Sequence, residues 1–388
     1  MNVLILGDGA EERRWALDLV RRPEFELRAA FPGFPDLPHG IRPRDLDEAL
    51  ALADIDLVVV GGDMEFRGEA LRRAAAEGML AICLHPPGPD SEAYYQVALS
   101  RAETGAIVVP DLPFRLHPGV ERLRSVLDDP GFGAFRGLRL EATVVGREHH
   151  LARWWFARFV DLIRALLGEI EAVTATGDPP GVDPDLALVV QMRAANGRRA
   201  EIRLTSATQE VQTLILEGTN ANVRLEFPGG LDEVARWTER ASDGTSVTQE
   251  IPAWDSRGVI LRHAAAARRG EVIHPDLGDA TRAMEVSEGA VRSLRRGRTV
   301  DLYYEEISES GTFKSVMTSA GCLILLSILV ILPIALGAAA MGLRGAIYLA
   351  YAIPPLLLIF LLLQLLRFAA HDSGSRESNP GQTPPSGG

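Results

Sequence analysis

Short apolar runs alternate with amphipathic stretches over the first third of the chain. Five of these runs predict buried strands, namely NVLILG, FELRAAF, DLVVVGG, MLAICL and AIVVP. The segments between them, such as AEERRWALDLVRR and RGEALRRAAAEG, place apolar residues at helical spacing. Apolar strands that alternate with helices predict a parallel, doubly wound α/β sheet. Such a sheet binds its ligands at the carboxyl ends of its strands.

The pattern changes from about residue 135. RGLRLEATVVG predicts a strand, RWWFARFVDLIRALLG predicts a helix, and four further strand-like runs and two closing helical segments follow. This order is typical of an α+β domain with a mostly antiparallel sheet. We therefore predict a Rossmann dinucleotide-binding-like domain over residues 1–120 and an α+β substrate- or oligomerisation-like domain over residues 121–306.

The C-terminal part carries two long uncharged runs, residues 316–343 and 345–366, separated by Arg344. A membrane-spanning helix needs about 20 predominantly apolar residues, so we predict two transmembrane helices within 316–366. A pair of buried core helices is the alternative. The polar segment 371–388 is rich in Pro, Gly and Ser, which predicts a disordered tail.

Charge at the flanks of these runs predicts the membrane topology. Lys314 precedes the first run and Arg367 follows the second, which indicates that both chain ends lie in the cytoplasm. The chain enters its first strand at once, without the basic segment of a signal peptide. We expect an inner-membrane protein with cytoplasmic soluble domains.

Composition narrows the choice of partners. The formal net charge of −12 argues against nucleic acid, because phosphate binding needs a basic surface. The two cysteines cannot form a disulfide framework. Glu148, His149 and His150 stand together, but no second ligand motif lies at a metal-binding spacing, so we predict no metal site.

The first strand leads into half of a dinucleotide fingerprint. Gly7 and Gly9 match its first two glycines, and with Asp8 they are the candidate cofactor-binding turn. The third small residue is replaced by Glu12. The second strand ends in AAF without the carboxylate that would hold the adenosine ribose, and Asp36 lies farther on. A strand–turn–helix that binds no dinucleotide is the alternative.

A Rossmann half followed by an antiparallel half resembles the glucose–fructose oxidoreductase and inositol dehydrogenase family (Gfo/Idh/MocA). Four stretches carry the resemblance over about the first 300 residues: ALRRAAAEGMLAICLHP, VVPDLPFRLHPGVERLR, FVDLIRALLGEIEAV and AAAARRGEVIHPDLGDATRAMEVSEGAVRSLRRGRTVDL. The resemblance implies NAD or NADP as the cofactor and a sugar, polyol or related small molecule as the substrate. A homo-oligomer is compatible with it.

The resemblance also assigns site residues. The family's Glu-Lys-Pro motif matches Leu84-His85-Pro86, and the Arg of its Arg-x-x-Pro motif matches Arg115, which implies cofactor contacts for Pro86 and Arg115. His85 is the candidate acid/base, because histidine titrates near neutral pH. Alternatively, it caps the strand. Arg158 takes the place of the catalytic histidine and can only orient an anionic group, because it stays protonated. In the same motif Asp161 is retained.

Two functions stay open at this point. The first is a membrane-anchored NAD(P)-dependent oxidoreductase with rearranged catalytic residues. The second is a catalytically inactive family member that binds a metabolite or a partner at the cytoplasmic membrane surface. The substitutions at the catalytic positions leave enzymatic activity undecided.

Overall fold

The computed structural model describes residues 1–34, 40–145, 150–182 and 184–303. Met1–Tyr303 form one unit that contains both sheets. The predicted transmembrane pair at 316–366 and the tail at 371–388 lie outside the described residues, as do Asp36, Glu148 and His149. Within the described ranges, no helix is both long enough and apolar enough to cross a membrane.

The first sheet has five parallel strands in the order β2-β1-β3-β4-β5. Their bounds are β1 Asn2–Leu6, β2 Glu26–Phe31, β3 Leu57–Val60, β4 Leu80–Leu84 and β5 Ile107–Asp111. A parallel bridge from Ala29 to Ile41 continues the sheet beyond β2. With this bridge counted, the order is that of a doubly wound dinucleotide-binding sheet. The predicted Rossmann-like sheet is confirmed.

Helices cover both faces of this sheet. The first five are α1 (Ala10–Val20), α2 (Leu46–Leu50), α3 (Met64–Ala76), α4 (Glu92–Thr104) and α5 (Pro118–Leu127). Val3 and Ile5 of β1 belong to a core cluster that includes residues of α1, whereas Leu4 and Leu6 belong to a cluster that includes residues of α3. The four residues from Val3 to Leu6 are therefore all apolar, because each face of the strand is buried there.

The second sheet has nine strands in the order β13-β12-β11-β10-β6-β9-β8-β7-β14. All neighbours are antiparallel except β6 and β9, which confirms a mostly antiparallel sheet. The bounds are β6 Phe135–Val145, β7 Ile170–Asp178, β8 Ala187–Ala194, β9 Arg199–Ala207, β10 Val211–Gly218, β11 Ala221–Phe227, β12 Ala235–Ala241, β13 Ser246–Ile251 and β14 Val300–Asp301. Sequence patterning predicted the first five of these strands.

Three further helices complete the fold: α6 (Ala157–Leu167), α7 (Ser256–Arg268) and α8 (Leu277–Arg296). A π-helical turn, Leu151–Phe156, leads into α6. Ser293 of α8 accepts the backbone N–H of Ala175 at 2.9 Å, so α8 is fixed to β7. Residues of α7 lie in the core cluster with Val3 and Ile5 of the first sheet. The second half of the chain thus packs directly on the first.

Candidate functional site

The turn between β1 and α1 has the backbone of a phosphate-binding loop. Gly7 has a φ of +115°, and its N–H donates to the carbonyl of Phe31 at 2.8 Å. A Cβ at Gly7 would collide with the backbone at Gly62, so the turn accepts only glycine there. Asp8 and Gly9 are exposed beside it. The first half of the fingerprint therefore has the expected geometry.

The side chain of Glu12 fills the space above this turn. Glu12 is 2% exposed, and its Oε1 accepts the N–H of Gly62 at 2.7 Å. A Cβ at Gly9 would lie 2.5 Å from Glu12 Oε2, and Cβ atoms at Gly7 and Gly61 would also collide with the Glu12 side chain. The side chain of Glu12 thus fills the space that Gly7, Gly9 and Gly61 leave free.

Arg67 of α3 supplies the opposite charge and is 1% exposed. Its Nη2 lies 3.6 Å from Glu12 Oε1. The same guanidinium donates to the carbonyls of Leu84 at 3.1 Å, Pro86 at 2.9 Å and Gly62 at 2.8 Å. Arg67 is therefore held in one place at the carboxyl ends of β3 and β4, whether or not Glu12 is ionised.

A dinucleotide bound in this fold places its pyrophosphate over the glycine turn and the N-terminus of the following helix. Here the carboxylate of Glu12 takes that space and the N–H of Gly62. At the end of β2, Ala30 and Phe31 offer no carboxylate for a ribose. In this conformation, the residues at the turn do not fit the pyrophosphate of a dinucleotide.

His85 lies at the end of β4 and is fully buried. Its Nε2 is 3.1 Å from the carbonyl of Ala157, and its Nδ1 is 3.0 Å from the hydroxyl of Tyr94. A carbonyl only accepts, so Nε2 carries the proton and Nδ1 accepts from Tyr94. Burial lowers the pKa of His85 to about 3. The acid/base role predicted for His85 has no support here, because the ring is neutral and both nitrogens are bonded. His85 instead joins β4 to α6.

Arg115 makes its ion pairs with the second half of the chain, whereas Pro86 contacts Arg67 beside the glycine turn. Arg115 Nη1 is 3.0 Å from Asp161 Oδ1 of α6 and 3.0 Å from Asp279 Oδ2 of α8. Pro86 is buried, and its carbonyl accepts from Arg67. The cofactor roles of Arg115 and Pro86 stay predictions, because these contacts involve protein groups only. Burial raises the pKa of Asp161 to about 6, against the opposing effect of Arg115.

Arg158 of α6 links the turn to a neighbouring cleft. Its Nε donates to the carbonyl of His85 at 3.0 Å, and its Nη1 forms an ion pair with Glu11 of α1. The guanidinium carbon lies 5.5 and 5.8 Å from the ring centroids of Trp154 and Trp155. Arg158 is thus fixed by its contacts, and it forms part of the cleft wall.

The cleft, of about 380 Å³, opens beside α1 and the end of β5 and reaches β10 of the second sheet. We refer to it as the Asp111 cleft. Its wall combines aromatic rings with carboxylates. The aromatic residues are Trp15, Phe114, Trp155 and Phe159, and the carboxylates are Glu11, Asp111, Glu210, Asp232 and Glu233.

Three polar atoms of cleft residues are buried without a hydrogen-bond partner in the described part of the chain: Glu11 Oε2, Trp155 Nε1 and Gln212 Oε1. Buried polar atoms are normally paired, because each unpaired one costs about 1–3 kcal/mol. Two acceptors and one donor of residues that line the cleft are therefore unpaired. Neighbouring atoms cover each of them, so the hydroxyl groups of a ligand would reach them only after a local movement of side chains.

Asp111 is the site residue that sequence reasoning missed. It ends β5, and its Oδ2 accepts from Trp15 Nε1 at 3.1 Å. Burial raises the pKa of Asp111 to about 6, although Arg158 acts in the opposite direction. A carboxyl group with this pKa can take up or release a proton near neutral pH. The signal in the sequence was a single carboxylate directly after the apolar run AIVVP.

One cluster of potential metal ligands occurs in the described residues: His274, Asp276 and Asp279, whose ligand atoms lie within 4.8 Å of one another. Asp276 and Asp279 form the capping box of α8. Asp279 also pairs with Arg115. The helix cap and the ion pair with Arg115 explain why these carboxylates lie close together.

No protein-family model matches this chain, and no curated protein matches it. Solved structures do share its fold. A protein assigned as a myo-inositol dehydrogenase from Sinorhizobium meliloti is 21% identical, with a TM-score of 0.62, over 78% of this chain and 100% of its own. An oxidoreductase from Agrobacterium radiobacter, in complex with NAD⁺, L-tartaric acid and magnesium, is 14% identical, with a TM-score of 0.64, over 78% and 98%.

A third solved structure is KijD10, a 3-ketoreductase from Actinomadura kijaniata in complex with NADP and TDP-benzene. It is 16% identical, with a TM-score of 0.66, over 76% of this chain and 97% of its own. These neighbours agree with the resemblance at the level of the fold, and two of them were crystallised with NAD⁺ or NADP, the cofactor class expected from the sequence. At these identities, the site must be judged on its own residues.

Proposed function

We propose that this chain is a Gfo/Idh/MocA-type protein that binds a sugar, polyol or related small molecule in the Asp111 cleft. The observation that carries the proposal is the set of buried, unpaired atoms on Glu11, Trp155 and Gln212. Hydroxyl groups would pair with these atoms. The aromatic rings of the wall offer apolar surface to the C–H faces of such a ligand, as in other concave sites.

Oxidation or reduction of that ligand with NAD or NADP is the activity favoured by the solved structures with this fold. These neighbours are described as oxidoreductases, and two of them were crystallised with these cofactors. In this chain, the residue suited to exchange the proton of a ligand hydroxyl is Asp111, whose pKa lies at about 6. Arg158 beside it would stabilise a developing negative charge.

Binding without catalysis is the second candidate, and Glu12 favours it. Its carboxylate takes the space in which a cofactor pyrophosphate would lie. In that case, the Asp111 cleft would bind a metabolite without converting it. The two candidates share the cleft and differ in whether a dinucleotide enters the turn.

We also propose that residues 316–366 tether the protein to the inner membrane as two helices, with both chain ends in the cytoplasm. The support is the absence of charge over 316–343 and 345–366, together with Lys314 and Arg367 at the flanks. The soluble unit would then meet its ligand at the cytoplasmic surface.

The test is a calorimetric titration of the full-length protein with sugars, polyols and sugar acids, with and without NADH or NADPH. Trp155→Phe removes the unpaired N–H and nearly preserves the ring, so we expect it to weaken binding about tenfold. Trp237→Phe is the matched control, since Trp237 is a buried tryptophan outside the cleft wall. Equal loss in both variants, or no saturable binding by any ligand, would contradict the proposal. Consumption of NADH or NADPH with a bound ligand separates the first candidate from the second.

A further inference from the structure

The carboxylate of Glu12 lies where this fold holds the phosphates of a nucleotide. We propose that Glu12 is an internal occupant of that site and competes with a dinucleotide for it. The proposal rests on the proposed function in one respect, namely that the turn at Gly7 and Gly9 belongs to a nucleotide-binding fold. It makes Glu12 an autoinhibitory residue.

The competition for space follows from the three glycines. Cβ atoms at Gly7, Gly9 and Gly61 would all collide with the Glu12 side chain. In the fingerprint, the first glycine makes the tight turn, the second lets the backbone approach the pyrophosphate, and a third small residue lets the helix pack closely on the strand. Glu12 stands at this third position and projects into the space that the others leave open. Pyrophosphate and the Glu12 carboxylate cannot occupy it together.

The competition for charge follows from Arg67. Glu12 is the carboxylate that the structure pairs with this buried guanidinium, at 3.6 Å. Three backbone carbonyls hold Arg67 independently of Glu12. Without the Glu12 carboxylate, Arg67 would stay in place and lose its directly paired carboxylate, with Glu11, itself paired with Arg158, as the remaining nearby negative charge. A buried cation of this kind favours uptake of an anion, and a phosphate group carries the required charge.

The same argument predicts what happens when a dinucleotide binds to the parent protein. Glu12 must first leave the turn, which breaks its hydrogen bond to Gly62 and separates it from Arg67. The binding-competent conformation is then a minor one, and the apparent affinity falls by the fraction of molecules that adopt it. Shortening Glu12 removes this loss.

The experiment compares the full-length parent with Glu12→Ala, which removes the carboxylate and keeps a good helix former in α1. Glu12→Gln keeps the volume and removes the charge, and it is the second variant if Glu12→Ala does not fold. Glu65→Ala is the control, since Glu65 is an exposed glutamate in the first turn of α3. Binding of NADH and NADPH is measured from nucleotide fluorescence, and binding of inorganic pyrophosphate from the shift in thermal midpoint.

We expect Glu12→Ala to bind NADH or NADPH at least tenfold more tightly than the parent, and pyrophosphate to raise its thermal midpoint. We expect the same direction of change in Glu12→Gln, because Arg67 loses its directly paired carboxylate, and no change in Glu65→Ala. Affinities of the parent and the folded Glu12 variants within twofold of each other, whether all bind or none does, would overturn the proposal. The arm of the sugar titration that contains no nucleotide tests the proposed function in the parent and in Trp155→Phe, so its failure is distinguished from failure of this proposal.

Discussion

Glu12 and Arg67 form a buried ion pair at the carboxyl edge of the parallel sheet, with 3.6 Å between Oε1 and Nη2. One residue lies in the first helix and the other in the third. Their side chains are 3% and 1% exposed, so neither charge has water as an alternative partner. The stability of this edge therefore depends on both charges being present.

Arg67→Met is expected to destabilise the protein by about 3–5 kcal/mol, the range for removing one partner of a buried pair. It would leave the Glu12 carboxylate uncompensated and three carbonyls without their donor. The measurement is urea unfolding followed by circular dichroism. Arg72→Met is the control, because Arg72 of the same helix pairs with Glu69 at the surface. The free energy of unfolding of Arg72→Met should fall by less than about 1 kcal/mol. An equal decrease in Arg67→Met and Arg72→Met would show that the buried pair stabilises the protein no more than the surface pair.

His85 is expected to stay neutral through the physiological range, because burial lowers its pKa to about 3. Its ring-proton signals in an NMR titration should not move between about pH 5 and pH 8. A lowered pKa in the folded state means that the unfolded chain binds the proton first. The contribution of His85 to stability is therefore present above pH 6.5 and is lost as the pH falls from about 6.5 towards 3. Titration of the ring near pH 6.5 would restore the acid/base hypothesis.

Tyr94→Phe is expected to destabilise the protein by about 1 kcal/mol or slightly more, because it leaves His85 Nδ1 buried and unpaired. Thermal unfolding at neutral pH measures this loss. Tyr95→Phe is a neighbouring comparison in the same helix, since the hydroxyl of the partly buried Tyr95 pairs with Glu285 instead. A change in the pKa of His85 should follow only from Tyr94→Phe. If Tyr94→Phe matches the parent in both thermal stability and the pKa of His85, the result would contradict the tautomer assigned to His85.

Asp111 is expected to make both ligand binding and stability depend on pH. Burial raises its folded pKa to about 6, above its unfolded value of about 3.8. Between these values the folded state holds more protons, so the contribution of Asp111 to stability decreases as the pH rises from about 4 to about 6. Asp111→Asn stays neutral and should lack this part of the profile. The free energies of unfolding of parent and variant, measured from pH 4 to pH 8, should diverge between about pH 4 and pH 6 and keep a constant difference above pH 6. Profiles that stay parallel over the whole range would contradict the raised pKa of Asp111.

The membrane proposal predicts that a reporter active only in the cytoplasm works when it is fused to Gly388. Two spans return the chain to the side from which it started. A fusion that ends near Arg344, between the two uncharged runs, is the matched control and should be silent. A silent, well-expressed fusion at Gly388 would overturn the topology.

The parallel sheet was predictable because its central strands, such as β3 and β4, are buried on both faces and therefore apolar throughout. The antiparallel sheet was predictable only as far as β10. In β13, SVTQEI, five of the six residues are exposed, and the sixth is half-buried. A strand of this kind lacks the alternation that sequence patterning detects. Its position follows from pairing with β12, which is not visible in the local sequence.

The site was less predictable than the fold, because its contacts join residues far apart in the chain. The sequence showed that Glu12 replaced a small residue, but its partner Arg67 comes from another helix. Asp111 depends on Trp15, 96 positions earlier, for its hydrogen bond. His85 gave a plausible motif match, yet its bond to Ala157 decides its role and spans 72 positions. These contacts between distant residues depend on how the helices and strands pack, which the local sequence does not show.

The two ion pairs of Arg115 have a consequence for cooperativity. They fasten the segment after β5 to α6 and to α8 at 3.0 Å each, and α7 lies in the core of the first sheet. A piece of chain that ends at the predicted boundary, residue 120, would keep Arg115 and lose both carboxylates. It would also lose the apolar cover that α7 provides. The two halves should therefore melt in a single transition and depend on each other for folding.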